Sequence, residues 1–185
     1  MNHKGKAVCA LLLVQLLAWG VFVPSADAGK LIRLSAQFRY FNEGEAGTSA
    51  TAAAGGLVIY TKSFSIPTPA KSSQRPVVFI TVTGTGDVHG GESLLMSCAI
   101  DGAFCNPQSS GAAAGWVNLL TDEADLHDNA VHYTWCAQVS PGSHTATVRM
   151  ASAGGADDVF LDAAHFFIDR TEFTTSSADD CEQGA

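Results

Sequence analysis

The chain has 185 residues, 46% of them hydrophobic and 15% charged, with 18 acidic against 10 basic side chains and a net charge of −8. An apolar fraction near one half excludes a disordered chain and requires a packed core. The acidic balance argues against nucleic acid as a partner, because a basic face supplies most of that affinity.

The chain opens as an address. Lys4 and Lys6 precede an apolar run from Ala7 to Val23, interrupted at Gln15, and Ala26-Asp27-Ala28 closes the segment. A basic start, an apolar middle and small residues before a cut are the parts of a secretory signal peptide. The alternative, an uncleaved anchor, has a run near the lower limit of a membrane span. Cleavage after Ala28 removes 28 of the 185 residues and leaves 157, one domain in size. Without Lys4, Lys6 and Asp27 the mature charge is −9. No second long apolar run follows, so the product is expected to be secreted, periplasmic or on the cell surface, with no membrane span.

The remaining segments read as strands in chain order. From Leu31 to Tyr40 the residues alternate, with Ile32, Leu34, Ala36, Phe38 and Tyr40 expected on the buried face. Asn42 to Gly56 is a Gly/Ala/Thr-rich loop. Leu57 to Ile66 alternates again, with Val58, Tyr60, Phe64 and Ile66 on one face, and Pro67, Pro69 and Pro76 bracket a polar connection. Val77 to Thr83 is β-branched and aromatic, as a pleated surface prefers. Gly84 to Gly91 holds four glycines around Asp87 and His89 and reads as a turn. Leu94, Met96, Cys98 and Ile100 form the apolar face of the next strand. Ser109 to Gly115 is a low-complexity linker, Trp116 to Leu120 a short strand, and Thr121 to Asn129 an acidic loop. Val131 to Val139 and Thr145 to Ser152 alternate around Ser140-Pro-Gly-Ser143, which predicts a hairpin. Val159 to Ile168 is the last strand, and the polar segment 174–185 follows it. Eight strands without an amphipathic helix define an all-β antiparallel sandwich over 29–173, jelly-roll-like or immunoglobulin-like.

The cysteines fit an exported protein. Cys9 leaves with the signal, and Cys98, Cys105, Cys136 and Cys181 remain. An even number in an oxidising compartment points to disulfides. Of the three possible pairings we expect Cys98–Cys105, around an Asp101-Gly102 turn, and Cys136–Cys181, which tethers the C-terminal segment. No C-x-x-C spacing is present, which disfavours zinc. Cys98-Ala-Ile-Asp-Gly-Ala-Phe-Cys105 and Pro141-Gly-Ser-His-Thr-Ala-Thr-Val-Arg-Met150 resemble two motifs of bacterial extracellular immunoglobulin-like and fibronectin-like repeats. That resemblance implies a bonded cysteine pair and a module for adhesion or spacing. About 35 residues, including an extra strand and the acidic loop, separate the two motifs here, an insertion that a jelly roll accommodates.

No motif for catalysis stands out. There is no G-x-S-x-G, H-E-x-x-H, P-loop or dinucleotide fingerprint, and no Glu pair with the spacing of a glycosidase. Of the mature histidines, His144 sits in the predicted hairpin turn and reads as solvated, His132 faces the polar side near Cys136, and His165 lies inside the last strand, where it could donate to a buried partner. His89 and His127 belong to the two loops that a hydrolase site would use. In the acidic loop, Asp122, Asp125, Asp128 and Asn129 offer the hard oxygens that calcium takes, without the EF-hand spacing. The competing reading is a solvated loop or a capped helical turn. No other cofactor is implied.

Aromatic residues carry the remaining signal, since exposed rings stack on sugars. Trp135 shares its face with Val131, Tyr133 and Val139 and reads as core. Trp116, which opens a strand after a linker, is the first ligand-binding candidate, and Tyr40 with Phe41 the second. The expected function is therefore an exported, non-catalytic β-sandwich that binds a glycan or a protein surface, or that builds a surface structure. The alternatives are a secreted hydrolase with a loop-built site and a self-assembling envelope or appendage subunit.

Overall fold

The computed structural model describes residues 30–41, 47–107, 115–121, 126–155, 159–174 and 181. The predicted signal segment lies outside them. Among the described residues ten strands are formed: β1 (Ile32–Tyr40), β2 (Gly47–Thr48), β3 (Leu57–Ile66), β4 (Gln74–Val88), β5 (Ser93–Ile100), β6 (Ala103–Phe104), β7 (Trp116–Thr121), β8 (Leu126–Gln138), β9 (Gly142–Ser152) and β10 (Val159–Thr174). The eight predicted strands are all present. The additions are the two-residue strands β2 and β6.

Two antiparallel sheets face each other. The first has the order β1-β10-β4-β8, with β2 beside β10. The second has the order β3-β9-β5-β6, with β7 also on β5. Counting only the long strands, the first sheet holds the first, eighth, third and sixth, and the second holds the second, seventh, fourth and fifth. That interleaving is a jelly roll, so the immunoglobulin-like arrangement does not apply. The predicted hairpin is also corrected. β8 pairs with β4 and β9 with β3 and β5, so the turn at Ser140-Pro141 carries the chain from one sheet to the other. A turn signal fixes where the chain reverses and leaves open which strand it then meets.

The core lies between the sheets. Val78, Ile80 and Val82 of β4, Trp135 of β8, and Phe166 and Ile168 of β10 are fully buried on one side. Leu94, Met96 and Cys98 of β5 and Ala146, Val148 and Met150 of β9 meet them from the other. Tyr60 of β3 stacks on Phe166 across the layer, with ring centroids 4.6 Å apart and planes within 2°. Its hydroxyl lies 3.4 Å from the Ser35 Oγ, and burial pushes its pKa up.

Three departures from the expected pattern share one cause, a bulge or close approach that alternation cannot report. A register shift between Arg33 and Ser35 turns Ser35 inward, and β1 lies at the sheet edge, so Ile32 and Phe38 are exposed. A shift between Val58 and Tyr60 leaves Val58 exposed. The glycines at 84 and 86 belong to β4, and the turn begins only at His89. At Gly84 a Cβ would meet the Ala163 carbonyl oxygen at 2.1 Å, next to a register shift in β10. Glycine is needed there because another backbone comes close, not because the chain turns.

Cys136 and Cys181 form a disulfide, and Cys181 packs on Val77 of the first sheet's outer face. Cys98 and Cys105 remain thiols, contrary to the expected bond. They lie side by side across the β5–β6 hairpin, and Cys105 N–H donates to the Cys98 carbonyl. Burial holds the Cys98 pKa well above the ordinary thiol range, with the neighbouring Cys105 adding to the shift. The raised pKa of Cys98 lowers the fraction present as thiolate, the nucleophile of disulfide exchange.

The Cys136–Cys181 bond closes a separation of 45 residues. A double Cys136→Ala/Cys181→Ala variant is expected to lose up to about 4 kcal/mol of stability. Thermal unfolding should then fall by roughly 10 °C. An unchanged midpoint would show that the bond constrains nothing in the unfolded chain.

Candidate binding concavity

The outward residues of β5 are small. Leu94, Met96, Cys98 and Ile100 face the core, which leaves Ser97 and Ala99 on the outer side. Their neighbours are tall. In one row Ser97 pairs with Trp116 of β7 on one side and Arg149 of β9 on the other. In the next row Ala99 pairs with Phe104 of β6 and Thr147 of β9. Two short side chains between two aromatic and two polar ones make a concavity of about 250 Å³. Ser97 and Ala99 form its floor, Trp116 and Phe104 one wall, and Arg149 and Thr147 the other.

The segment before β3 closes one side. Ala52–Ala54 form a single 3-10 turn, with the Thr51 Oγ1 accepting from the Ala54 N–H at its start. Gly55 follows, and its carbonyl accepts from Arg149 Nη1 at 2.8 Å. Gly56, with φ of 59°, lies on the indole: a Cβ there would meet Trp116 Cη2 at 2.5 Å and the Met150 carbonyl at 2.4 Å. Covered in this way, Trp116 is 5% exposed and offers only part of its ring to the concavity.

The other side depends on a turn. Asp101 and Gly102 have φ of 52° and 88°, the two left-handed residues that a two-residue hairpin needs. Asp101 then anchors the hairpin to β9. Its Oδ1 accepts from the Thr145 N–H at 2.8 Å, its own N–H donates to the Thr145 carbonyl at 3.0 Å, and its Oδ2 lies 2.6 Å from His144 Nδ1. His144 Nε2 donates to the Ser140 carbonyl at 2.8 Å. The histidine expected to be solvated is thus held at both nitrogens, with a side chain 10% exposed. The two segments that resemble repeat motifs, 98–105 and 141–150, meet at this contact. The hydrogen bond from His144 holds the Asp101 carboxyl below its usual pKa; burial opposes it, and the Thr145 amide adds to the lowering.

The other sequence candidates do not join this site. Phe41 is buried in the core with the Arg39 guanidinium over its ring, 4.8 Å from the centroid. Tyr40 ends β1, and its side chain lies outside the described residues. Asp122 and Asp125 also lie outside them, as does the Asp128 side chain, and Asn129 sits in β8 opposite Gly86. Among the described residues no group of three His, Cys, Asp or Glu side chains could hold a metal. His132 lies opposite Thr83 and His89 follows Val88 at the far end of β4, so roughly 20 Å of strand separates them. His165 lies inside the last strand but is exposed on the outer face, tilted against Phe38 at 4.7 Å and stacked on Phe167 at 6.0 Å. Glu92 is structural: its carboxylate accepts from Ser152 Oγ at 2.8 Å and the Gly154 N–H at 2.6 Å, closing the turn after β9.

Of the sequence candidates Trp116 lines this concavity; Ser97, Phe104, Thr147 and Arg149, which line it too, were not singled out. Their signal was the pair of small outward residues in β5, which becomes a floor only once the flanking strands are known.

Fold and site define a jelly-roll module with a polar concavity that has aromatic and guanidinium walls. Arg149 is the single titratable side chain among the described residues lining it, so the site has hydrogen-bond partners without an acid–base pair. No family model and no curated protein matches the chain. Dimeric latent PorU from Porphyromonas gingivalis is similar in structure with a TM-score of 0.32 and 13% identity, over 79% of this chain and 14% of that one. A likeness at that score leaves the fold to be read from the strand order itself. Among the described residues no helix is long and apolar enough to cross a membrane.

The Asp101 carboxyl, depressed in the folded protein, stabilises the fold above the ordinary carboxylate range and ceases to do so as pH falls through its lowered value. Asp101→Asn should therefore melt below the wild type at neutral pH, and the gap should close as pH falls below the ordinary carboxylate range. A gap independent of pH would show that the carboxylate charge plays no part.

Proposed function

We propose that the protein is an exported, non-catalytic binding module that holds a hydroxyl-rich, glycan-type ligand in the Trp116–Arg149 concavity. The signal-like first 28 residues and the Cys136–Cys181 disulfide support export. The observation that carries the binding reading is the two-row grid on β5: a floor of Ser97 and Ala99 with an indole on one side and a guanidinium on the other. Phe104, the less buried ring of the aromatic wall, takes the C–H face of a sugar, while Thr147 and Arg149 supply partners for its hydroxyls. The volume suits one ring.

A second reading, self-assembly, rests on β1. It is an edge strand, with Ile32 and Phe38 37% and 55% exposed along it and Leu31, just before it, 58% exposed. An edge of that length with apolar side chains is a template for another strand. A monomer at all concentrations in sedimentation velocity would remove this reading.

The binding reading is tested by screening the mature chain on a glycan array beside two variants. Ala99→Leu fills the floor and leaves the walls in place, and Arg149→Gln removes the charged donor. Both are expected to weaken a retained glycan by roughly tenfold or more, the cost of one lost charge-assisted hydrogen bond or of a blocked site. Retention by both variants at wild-type strength, with melting unchanged, would place the ligand elsewhere.

A further inference from the structure

A second concavity, larger than the first, lies elsewhere. About 540 Å³ in volume, it opens at the end of the sandwich between the segment before β4 and the turn from β8 to β9. Arg149 sits toward the far end of β9, whereas Pro141 precedes its first residue. The walls of this groove are joined at their base, where the Val139 N–H donates to the Pro76 carbonyl at 3.1 Å and both residues are buried. Pro69, Pro76 and Pro141 line it. Each proline fixes a backbone angle, so the groove loses little conformational freedom when it is filled.

The wall before β4 is braced from within. The Gln74 N–H donates to the Lys71 carbonyl at 3.1 Å and closes a turn. Arg75 Nη1 donates to the Ser72 carbonyl at 3.1 Å, which holds the guanidinium across that turn. Lys71 and Arg75 are both exposed, and no carboxylate lines the groove among the described residues. The chain as a whole carries −8. Two cations in one groove of an acidic protein are therefore a local inversion of charge, felt over about 10 Å in ordinary salt. Beside them lie the amides of Gln74 and Gln138 and the hydroxyls of Thr68, Ser72 and Ser140.

We propose that this end groove is a second, independent binding site for an acidic oligosaccharide, a chain of sugar rings that bear carboxylates. Lys71 and Arg75 meet the carboxylates, Arg75 with its planar fork and Lys71 as a mobile charge. The amides and hydroxyls meet ring hydroxyls, and the proline rings accept the apolar C–H faces between them. The open shape lets a chain pass through without being enclosed at its ends. Nothing in this assignment depends on the Trp116 concavity.

The test is calorimetric titration of the mature chain with trigalacturonate, with neutral maltotriose and with inorganic phosphate, each at low and at moderate salt. Trigalacturonate is expected to bind at least tenfold more tightly than maltotriose or phosphate and to weaken as salt rises. Lys71→Gln/Arg75→Gln should reduce its affinity tenfold or more, and Ala99→Leu should leave it unchanged. Because Lys71 and Arg75 are exposed, the double variant should melt as the wild type does, which separates loss of binding from loss of fold. Equal binding of trigalacturonate and maltotriose would overturn the acidic ligand. Phosphate as tight as trigalacturonate would reduce the groove to a simple anion site. No binding of trigalacturonate, or an unaffected double variant, would overturn the site.

Discussion

Each sheet depends on a late strand inserted between two early ones. β10 lies between β1 and β4, and β9 between β3 and β5. Neither insertion tolerates a poor fit. Gly84 leaves room for the β10 backbone, and the register shift between Leu161 and Ala163 absorbs the mismatch beside it. Phe166 of β10 covers Tyr60 from the opposite layer, and Val148 and Met150 of β9 complete the same core. A topology of this kind is dominated by non-local pairing, which makes folding slow for the chain's length. The same constraint makes the concavity: Thr147 and Arg149 reach Ser97 and Ala99 only because β9 lies against β5.

Much of the strand content was legible because a half-buried strand must alternate. Leu94, Met96, Cys98 and Ile100 all face the core as their spacing requires, and Trp135 is fully buried among the residues that share its face. Partner choice was not legible. Val131–Val139 and Thr145–Ser152 look like a hairpin, yet they belong to different sheets, because alternation states which face is apolar and not which strand lies alongside. Bulges were equally hidden. One extra residue at Arg33–Ser35 reverses the face of everything after it, which moved Phe38 from the expected core to the surface. Of the site, Trp116 was visible as an aromatic after a linker. Arg149 and Phe104 were not, since each gains meaning only from its cross-strand neighbour.

Charge is used unevenly. Several bases serve the fold: Arg33 pairs with Asp169 and lies over the Phe167 ring, 4.3 Å from its centroid, and Arg170 is buried near Glu172 at 3.7 Å. Arg149 divides its role, with one nitrogen on the Gly55 carbonyl and the rest of the guanidinium at the concavity wall. Lys71 and Arg75 remain at the groove on the end of the sandwich. An acidic surface with cations kept at concave places repels anions in general and admits them where the shape is right. The loop anchors follow the same economy: Asp101 and Glu92 each join a turn to β9 or to the residues just after it, and the order of the second sheet's outer face depends on both.

The central claim is that the outer face of the second sheet, at the grid around Ser97 and Ala99, is where this protein meets its ligand. The most direct measurement is an amide-correlation NMR titration of the labelled chain from Gly29 onward with a glycan retained on the array. The account predicts that shifts concentrate at Ser97, Ala99, Thr147, Arg149 and the Trp116 indole, and that Phe38, His165 and the rest of the first sheet's outer face stay still. Shifts centred on the first sheet's outer face, with the β5 and β9 signals unmoved, would contradict it.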